Sequence, residues 1–461
     1  MEPGGTFLKS SCFQLHGVTF VICHLQMWFP SFPKAPLASP SQSGVSRRDA
    51  IRLSLIGSAS VLFSPFSFSL SHAADATPEP GNLPYAPADM DPRVIEALAK
   101  IPHAVLLYDL DEVGNCYRDF TQADPDAKIF YAVKCAPNRR VLARLVRLGS
   151  GFDVASPVEL DMALDAGADP AKCIYSNTCK FPKDISHAYA RGVRAFLADS
   201  EYEVRLQAEK APGSKLYVRL LVDNKDAAHA LGDKFGTTPE QAKELLRLGK
   251  KLGLIPYGTH FHVGTQCYSA NAWVTPARQA ASIFRDLKKE GITLELFDIG
   301  GGFPVQYLDR KVPSNAEILQ VVRTVLKEEL SGVPLTLAIE PGRGLVGSAA
   351  LMSTRVMLRA TRPDAEWLHL DVGVYHGLSD APDGIRYAIN VINRTGAPIP
   401  YTLCGPTCDS ADTISTGQEL PSDIVPGDLL ILNNAGAYAE CLFSHFNGIK
   451  PPEVKYLDDI V

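Results

Sequence analysis

The sequence has no excess of positive charge, no cysteine pairs at metal-binding spacing, and no clean apolar run long enough to cross a bilayer. Lys and Arg total 45 against 51 Asp and Glu, a formal net charge of -6. Proteins that hold nucleic acid usually present a basic face, so this balance argues against such a partner. The ten cysteines are scattered. The nearest pair of note, Cys404 and Cys408, is a lone C-x3-C, weak evidence for zinc, and no metal is expected. The most apolar stretch, Leu53 to Leu70, is broken by Pro65 and six serines. A membrane span needs about 20 mostly apolar residues, so no stable span is expected. Long amphipathic helical patterns are also missing after about Leu351.

What is present is an ordinary globular composition, 46% hydrophobic and 21% charged over 461 residues, with length for two domains and a large core. The first 80 or so residues differ from the rest. Ser46-Arg47-Arg48-Asp49 precedes the serine-rich apolar stretch, and Ser71-His72-Ala73 and Ala74-Asp75-Ala76 follow as small-residue cleavage sites. Charged, apolar and small-residue regions in that order are the layout of an export signal, here of the twin-arginine type. Residues 1–80 are therefore expected to be an export signal or a disordered leader. A periplasmic location follows from the first and a cytoplasmic one from the second.

Eight short apolar runs alternate with helical sequence up to residue 350. They are Lys128–Lys134, Gly151–Ala155, Cys173–Ser176, Arg194–Ala198, Lys215–Val222, Pro256–Val263, Leu294–Ile299 and Leu335–Glu340. Such runs suit strands buried on both faces, and their alternation with helices predicts a (β/α)8 TIM-type barrel over 112–350. Helix candidates include Pro157–Ala166, where Ser156 and Glu159 suggest a capping box, and Glu240–Leu252. Residues 351–461 carry β-rich runs separated by Gly, Pro and Asp, predicting a mainly antiparallel β-domain, a barrel or sandwich. Residues 81–111 read as a proline-rich linker and a strand, Val105–Leu110, joining that domain.

Catalytic groups of such barrels sit at the C-terminal ends of the strands. Lys134 ends the first run and Glu340 the eighth. An amine and a carboxylate so placed have the parts to hold pyridoxal phosphate, the carboxylate pairing with a protonated ring nitrogen. An internal Glu340–Arg343 ion pair is the alternative use of that acid. His260 and His262 fall on one side of the sixth run. One suits stacking on a flat cofactor ring, and His260 is assigned the structural role. Gly300, Gly301 and Gly302 follow the seventh run, where barrels bind phosphate, and Arg343 offers a planar donor fork. Cys408 and Asp409 lie in a glycine- and proline-marked loop of the β-domain.

The segments YAVKCAPN, HFHVGTQ, DIGGGFP, EPGRG, CGPTCDSAD, GAYAE and FNGI, in this order over roughly residues 100–450, resemble the fold-type III pyridoxal-phosphate decarboxylases of basic amino acids, the ornithine decarboxylases most closely. The resemblance implies an alanine-racemase-like barrel and a homodimer with shared active sites. Lys134 is similar to the lysine that binds the cofactor aldehyde. His262 resembles the stacking residue, and Glu340 the partner of the ring nitrogen. Gly300 to Gly302, Arg343 and Tyr438 match phosphate-binding positions; Asp153, Arg219 and Thr265 match supporting ones. Cys408, as proton donor, and Asp409 match residues given by the partner subunit. Substrate-binding acids are expected at Asp409 and at Asp380 or Asp383. The implied reaction is decarboxylation of L-ornithine to putrescine and carbon dioxide. Lysine, arginine and diaminopimelate are the alternative substrates; a racemase and a catalytically silent regulatory relative are the alternative functions.

Overall fold

A computed structural model describes residues 10–15, 18–23, 90–230, 234–308 and 310–461. The chain divides into two compact units, residues 1–75 and 76–461. In the first, Ser10–Leu15 and Val18–Cys23 pair as an antiparallel hairpin. The expected export segment from Ser46 to Ala76 and the proline-rich linker lie outside the described residues.

In the second unit eight parallel strands close into a barrel. In chain order they are Lys128–Ala132, Gly151–Val154, Cys173–Tyr175, Ala195–Ala198, Lys215–Arg219, Ile255–His260, Leu296–Asp298 and Thr336–Ile339. All eight expected runs are strands, most of them shortened at the ends. The first was expected to reach Lys134, but the strand stops at Ala132 and Val133–Cys135 forms a 3-10 turn. Val133 and Cys135 are both fully buried, so the apolar run continues through a turn that is itself core. Ile174, Ala195, Leu197, Tyr217, Leu296 and Ala338, from strands three, four, five, seven and eight, form one apolar cluster. Phe196, alternating with Ala195 and Leu197, packs instead with helix residues in the main core. The barrel is thus filled below its mouth.

The expected helices form, as Pro157–Asp165 and Pro239–Lys251. At the first, Ser156 Oγ accepts from the Glu159 N–H, but the Glu159 carboxylate accepts from the Ala155 N–H, one residue beyond the reciprocal partner of a capping box.

The second domain is a sheet with the path Ile389–Val391, Leu429–Leu432, Ala350–Arg362, Ala365–Leu370, Pro398–Cys404, Thr413–Pro421. Val105–Tyr108 joins it, antiparallel to Ala350–Arg362 and parallel to Glu453–Tyr456. Most pairings are antiparallel, the other parallel one joining Ala365–Leu370 to Pro398–Cys404. Thr413–Pro421 and Glu453–Tyr456 were not expected. The first is largely polar with Gly417 at φ 65°, and the second is half-exposed, so neither shows an apolar run. The Tyr438 N–H donates to the Cys135 carbonyl at 2.8 Å, tying this domain to the turn that carries Lys134.

A buried ion pair braces the mouth of the barrel. Lys180 Nζ, in the loop after strand three, donates to Glu203 Oε1 at 2.8 Å and to the carbonyls of Asn177 and Leu197. Burial lifts the Glu203 carboxyl from 4.5 to about 7, although Lys180 works against it. A folded pKa above the unfolded one means that the native state holds the extra proton. This contribution to stability is complete below about pH 4.5 and is lost as pH rises towards 7. Glu203→Gln is expected to flatten the fall in Tm between about pH 5 and about pH 8; an unchanged slope in thermal melts would refute that account.

Candidate active site

Lys134 sits in the 3-10 turn between strand one and a helix capped by Asn138, whose side chain accepts from the Arg140 and Val141 N–H groups. The turn is therefore pinned at both ends. Lys134 Nζ donates to Asp153 Oδ2 at 2.7 Å, and the Asp153 side chain is fully buried on strand two. Burial by itself disfavours the ammonium, but Asp153, Tyr438 and Glu340 outweigh it and hold the amine protonated well above its ordinary range.

Across the mouth, Glu340 directly follows strand eight and is buried. Ser176 Oγ donates to its Oε1 at 2.5 Å and His260 Nε2 to its Oε2 at 2.9 Å, with Tyr217 OH 2.8 Å from the same serine. The Glu340–Arg343 pair does not form. His260, assigned a structural role, contacts Glu340, and its Nδ1 is buried with no hydrogen-bond partner among the described residues. Burial opposes charge on Glu340, yet His260 and Lys134 hold its carboxyl well below the usual range. Burial and the Glu340 charge push Asp298 well above it. Two neighbouring acids thus divide the work, one ionised and one protonated. The side-chain ligand atoms of His260, Asp298 and Glu340 all lie within 4.8 Å of one another. The sequence shows no carboxylate near the histidine pair; the fold supplies two.

A cavity of about 280 Å³ opens between these groups, lined among others by Lys134, His262, Thr265, Gly301, Glu340 and Tyr438. His262 also borders a second cavity of about 190 Å³ lined by Arg219 and Phe235. The His262 Nδ1 accepts from the Gly264 N–H at 3.0 Å, so a neutral ring carries its proton on Nε2. Burial, reinforced by Arg219 and Lys134, keeps that ring neutral by pushing its pKa well down.

The expected cofactor needs an amine, an anion for its ring nitrogen, a flat face and a phosphate cradle, and the residues fit. Gly300 and Gly302 have φ of +66° and +99°. A Cβ on Gly301 would lie 2.8 Å from both His262 Nε2 and the Glu340 carbonyl oxygen. Arg343 donates through Nη2 to Asp380 at 2.6 Å and through Nη1 to Tyr307 OH at 3.0 Å. Its Nε is buried with no partner among the described residues, a donor left over beside the cavity. Gly301→Ala is expected to weaken pyridoxal phosphate binding about 10-fold or more, because the added methyl fills the cradle. Fluorescence titration checks this, and an unchanged affinity would remove the glycine turn from the site.

Four expected residues stand apart from this cavity. Cys408 is exposed, and Asp409 accepts from Tyr375 OH at 2.5 Å; neither lines the cavity of its own chain. Asp380 serves Arg343, and Asp383 pairs with His229 Nδ1 at 2.8 Å. The sequence reading missed Ser176 and gave no partner for His260. The signal for Ser176 was available: it closes strand three as Glu340 closes strand eight.

The chain matches the family model of the pyridoxal-dependent decarboxylase, pyridoxal binding domain, over residues 110–347. It is 33% identical over 357 residues to the lysine/ornithine decarboxylase of Selenomonas ruminantium, covering 77% of this chain and 90% of that one. To the ornithine decarboxylase of Schizosaccharomyces pombe it is 30% identical over 347 residues, 72% and 78% of the two chains. The structure of the lysine/ornithine decarboxylase from Vibrio vulnificus complexed with cadaverine is similar with a TM-score of 0.73 at 30% identity, covering 79% of this chain and 98% of that one. The amine-and-acid barrel mouth and these matches agree, and the chain belongs to the pyridoxal-dependent decarboxylases.

Proposed function

We propose that the chain decarboxylates L-ornithine to putrescine and carbon dioxide, as a homodimer in which each β-domain loop completes the partner's site. Decarboxylation of a basic amino acid is the activity of the family; the proposal concerns the substrate and the assembly. The observation that carries it is Asp409. Its carboxyl is held below the usual range by the Tyr375 hydroxyl, outside its own chain's cavity. One ionised carboxylate matches one distal ammonium, whereas the distal carboxylate of diaminopimelate would be repelled.

When bound, pyridoxal phosphate supplies an aldehyde that exchanges between lysine and substrate amines, and a cationic ring into which the electrons of the departing carboxylate spread. Lys134 would bind the aldehyde, and Asp153 Oδ2 orients its amine. Glu340 would pair with the ring nitrogen and favour its protonated form, which would set decarboxylation apart from reactions needing a weaker sink. His262 would offer an uncharged flat face, and Gly300 to Gly302 and Arg343 would hold the phosphate. Cys408 from the partner returns a proton to Cα once the carbon–carbon bond has broken. Lysine is a second reading, favoured by the lysine/ornithine activity named for the Selenomonas relative. One extra methylene is discriminated by only about 10- to 200-fold.

Carbon dioxide release measured over ornithine, lysine, arginine and diaminopimelate is expected to be greatest for ornithine, with lysine about 10-fold or more lower in kcat/KM. Asp409→Ala should raise KM for ornithine by about 10-fold or more, as one charge-assisted contact is lost. Diaminopimelate as the best substrate would overturn the assignment. Shared sites have a separate test. Mixing inactive Lys134→Ala with inactive Cys408→Ala protein is expected to restore about a quarter of wild-type activity, since half the random dimers carry one intact site. No recovery on mixing would show that each chain builds its site alone.

A further inference from the structure

A carboxylate offers about four acceptor positions, and hydrogen bonds from the residues around Glu340 use two. Ser176 Oγ occupies Oε1 and His260 Nε2 occupies Oε2. A side-chain oxygen of Asp298 lies within 4.8 Å of the same carboxylate. These three come from the ends of strands three, six and seven, and His260 and Asp298 are register partners across adjacent strands. The positions left open belong to a group that also lines the cavity.

His260 is placed for this contact and little else. It is 1% exposed, meets Tyr217 edge-on at 6.3 Å, and leaves its Nδ1 without a partner among the described residues, a cost that packing alone does not explain. Without its Nε2–H, Oε2 would be a buried anionic oxygen with no donor, lying next to a second carboxyl that bears a proton. Charge would then spread between Glu340 and Asp298 instead of residing on the acid that faces the cavity.

We propose that His260 is a positioning residue: its Nε2–H fixes Glu340 so that an open acceptor position faces the ring nitrogen of bound pyridoxal phosphate. The inference rests on the cofactor assignment and adds to it a determinant of how strongly the ring draws electrons. Removing this donor weakens the sink during bond breaking more than it weakens substrate binding. The other charged and titratable groups facing the cluster are Lys134, Asp153, Arg219, His262, Asp298 and Tyr217.

The test compares the wild-type holoenzyme with His260→Leu, His260→Gln and Ser176→Ala. Three quantities are measured: the pH titration of the bound cofactor's visible absorption, its dissociation constant, and kcat and KM. His260→Leu is expected to lower kcat by about 10- to 100-fold, the effect of one lost hydrogen bond to a charged group, with KM changed by less than about threefold. Its ring nitrogen should lose its proton at a pH lower by about one unit. His260→Gln, which keeps an amide donor near the Nε2 position, should restore most of both. A wild-type absorption titration and kcat in His260→Leu, whatever its Tm, would reduce His260 to a packing residue and overturn the proposal. Should His260→Leu not fold, Ser176→Ala decides: it must shift the titration in the same direction, and an unshifted titration would overturn it equally. Absence of cofactor uptake by the wild-type chain would overturn the cofactor assignment itself, a result distinct from either.

Discussion

An ionised carboxylate deep in a barrel is costly, because water's stabilisation is lost and must be replaced by donors fixed in place. Glu340 meets that demand with Ser176 and His260, from the ends of strands three and six. The site depends on this arrangement. Burial and the Glu340 charge push the Asp298 carboxyl up, and Lys134 is held cationic in part by the same charge; burial, Arg219 and Lys134 keep His262 a neutral face. Removing one donor from such a cluster exposes a buried charge, an effect of about 3–5 kcal/mol for a broken buried pair. Closure of all eight strands is what fixes the donors, so the fold and the electrostatics of the mouth are one constraint.

The phosphate end follows a different rule. Charge there is provided by a guanidinium already held on two sides, Asp380 and Tyr307, with Nε left over. Backbone supplies the rest, through glycines whose positive φ and lack of a side chain allow close approach. Asp380 is thereby engaged as the support of Arg343. Of the other expected distal-amine residues, Asp383 pairs with His229 and Asp409 accepts from the Tyr375 hydroxyl.

How much was legible in the sequence varied with the range of the signal. Strand runs and the glycine turn are local patterns, and they appear where expected. Strand ends were overrun at Val133-Lys134 because buried turn residues are as apolar as strand residues. Polar or half-exposed strands, Thr413–Pro421 and Glu453–Tyr456, gave no apolar run to find. The partner of His260 was not legible because it lies 80 residues away.

The sequence by itself determined the alternation that makes a barrel and the amine and carboxylate after its first and last strands. It also determined the glycine cradle, since periodicity and turn chemistry are written in neighbouring residues. Only the tertiary structure decided that His260 and Ser176 hold Glu340, that Asp298 lies buried beside it, and that Asp380 supports Arg343. It also left Cys408 and Asp409 outside the cavity of their own chain. These contacts join residues remote in the chain, and only lateral strand pairing and barrel closure decide which strand ends become neighbours.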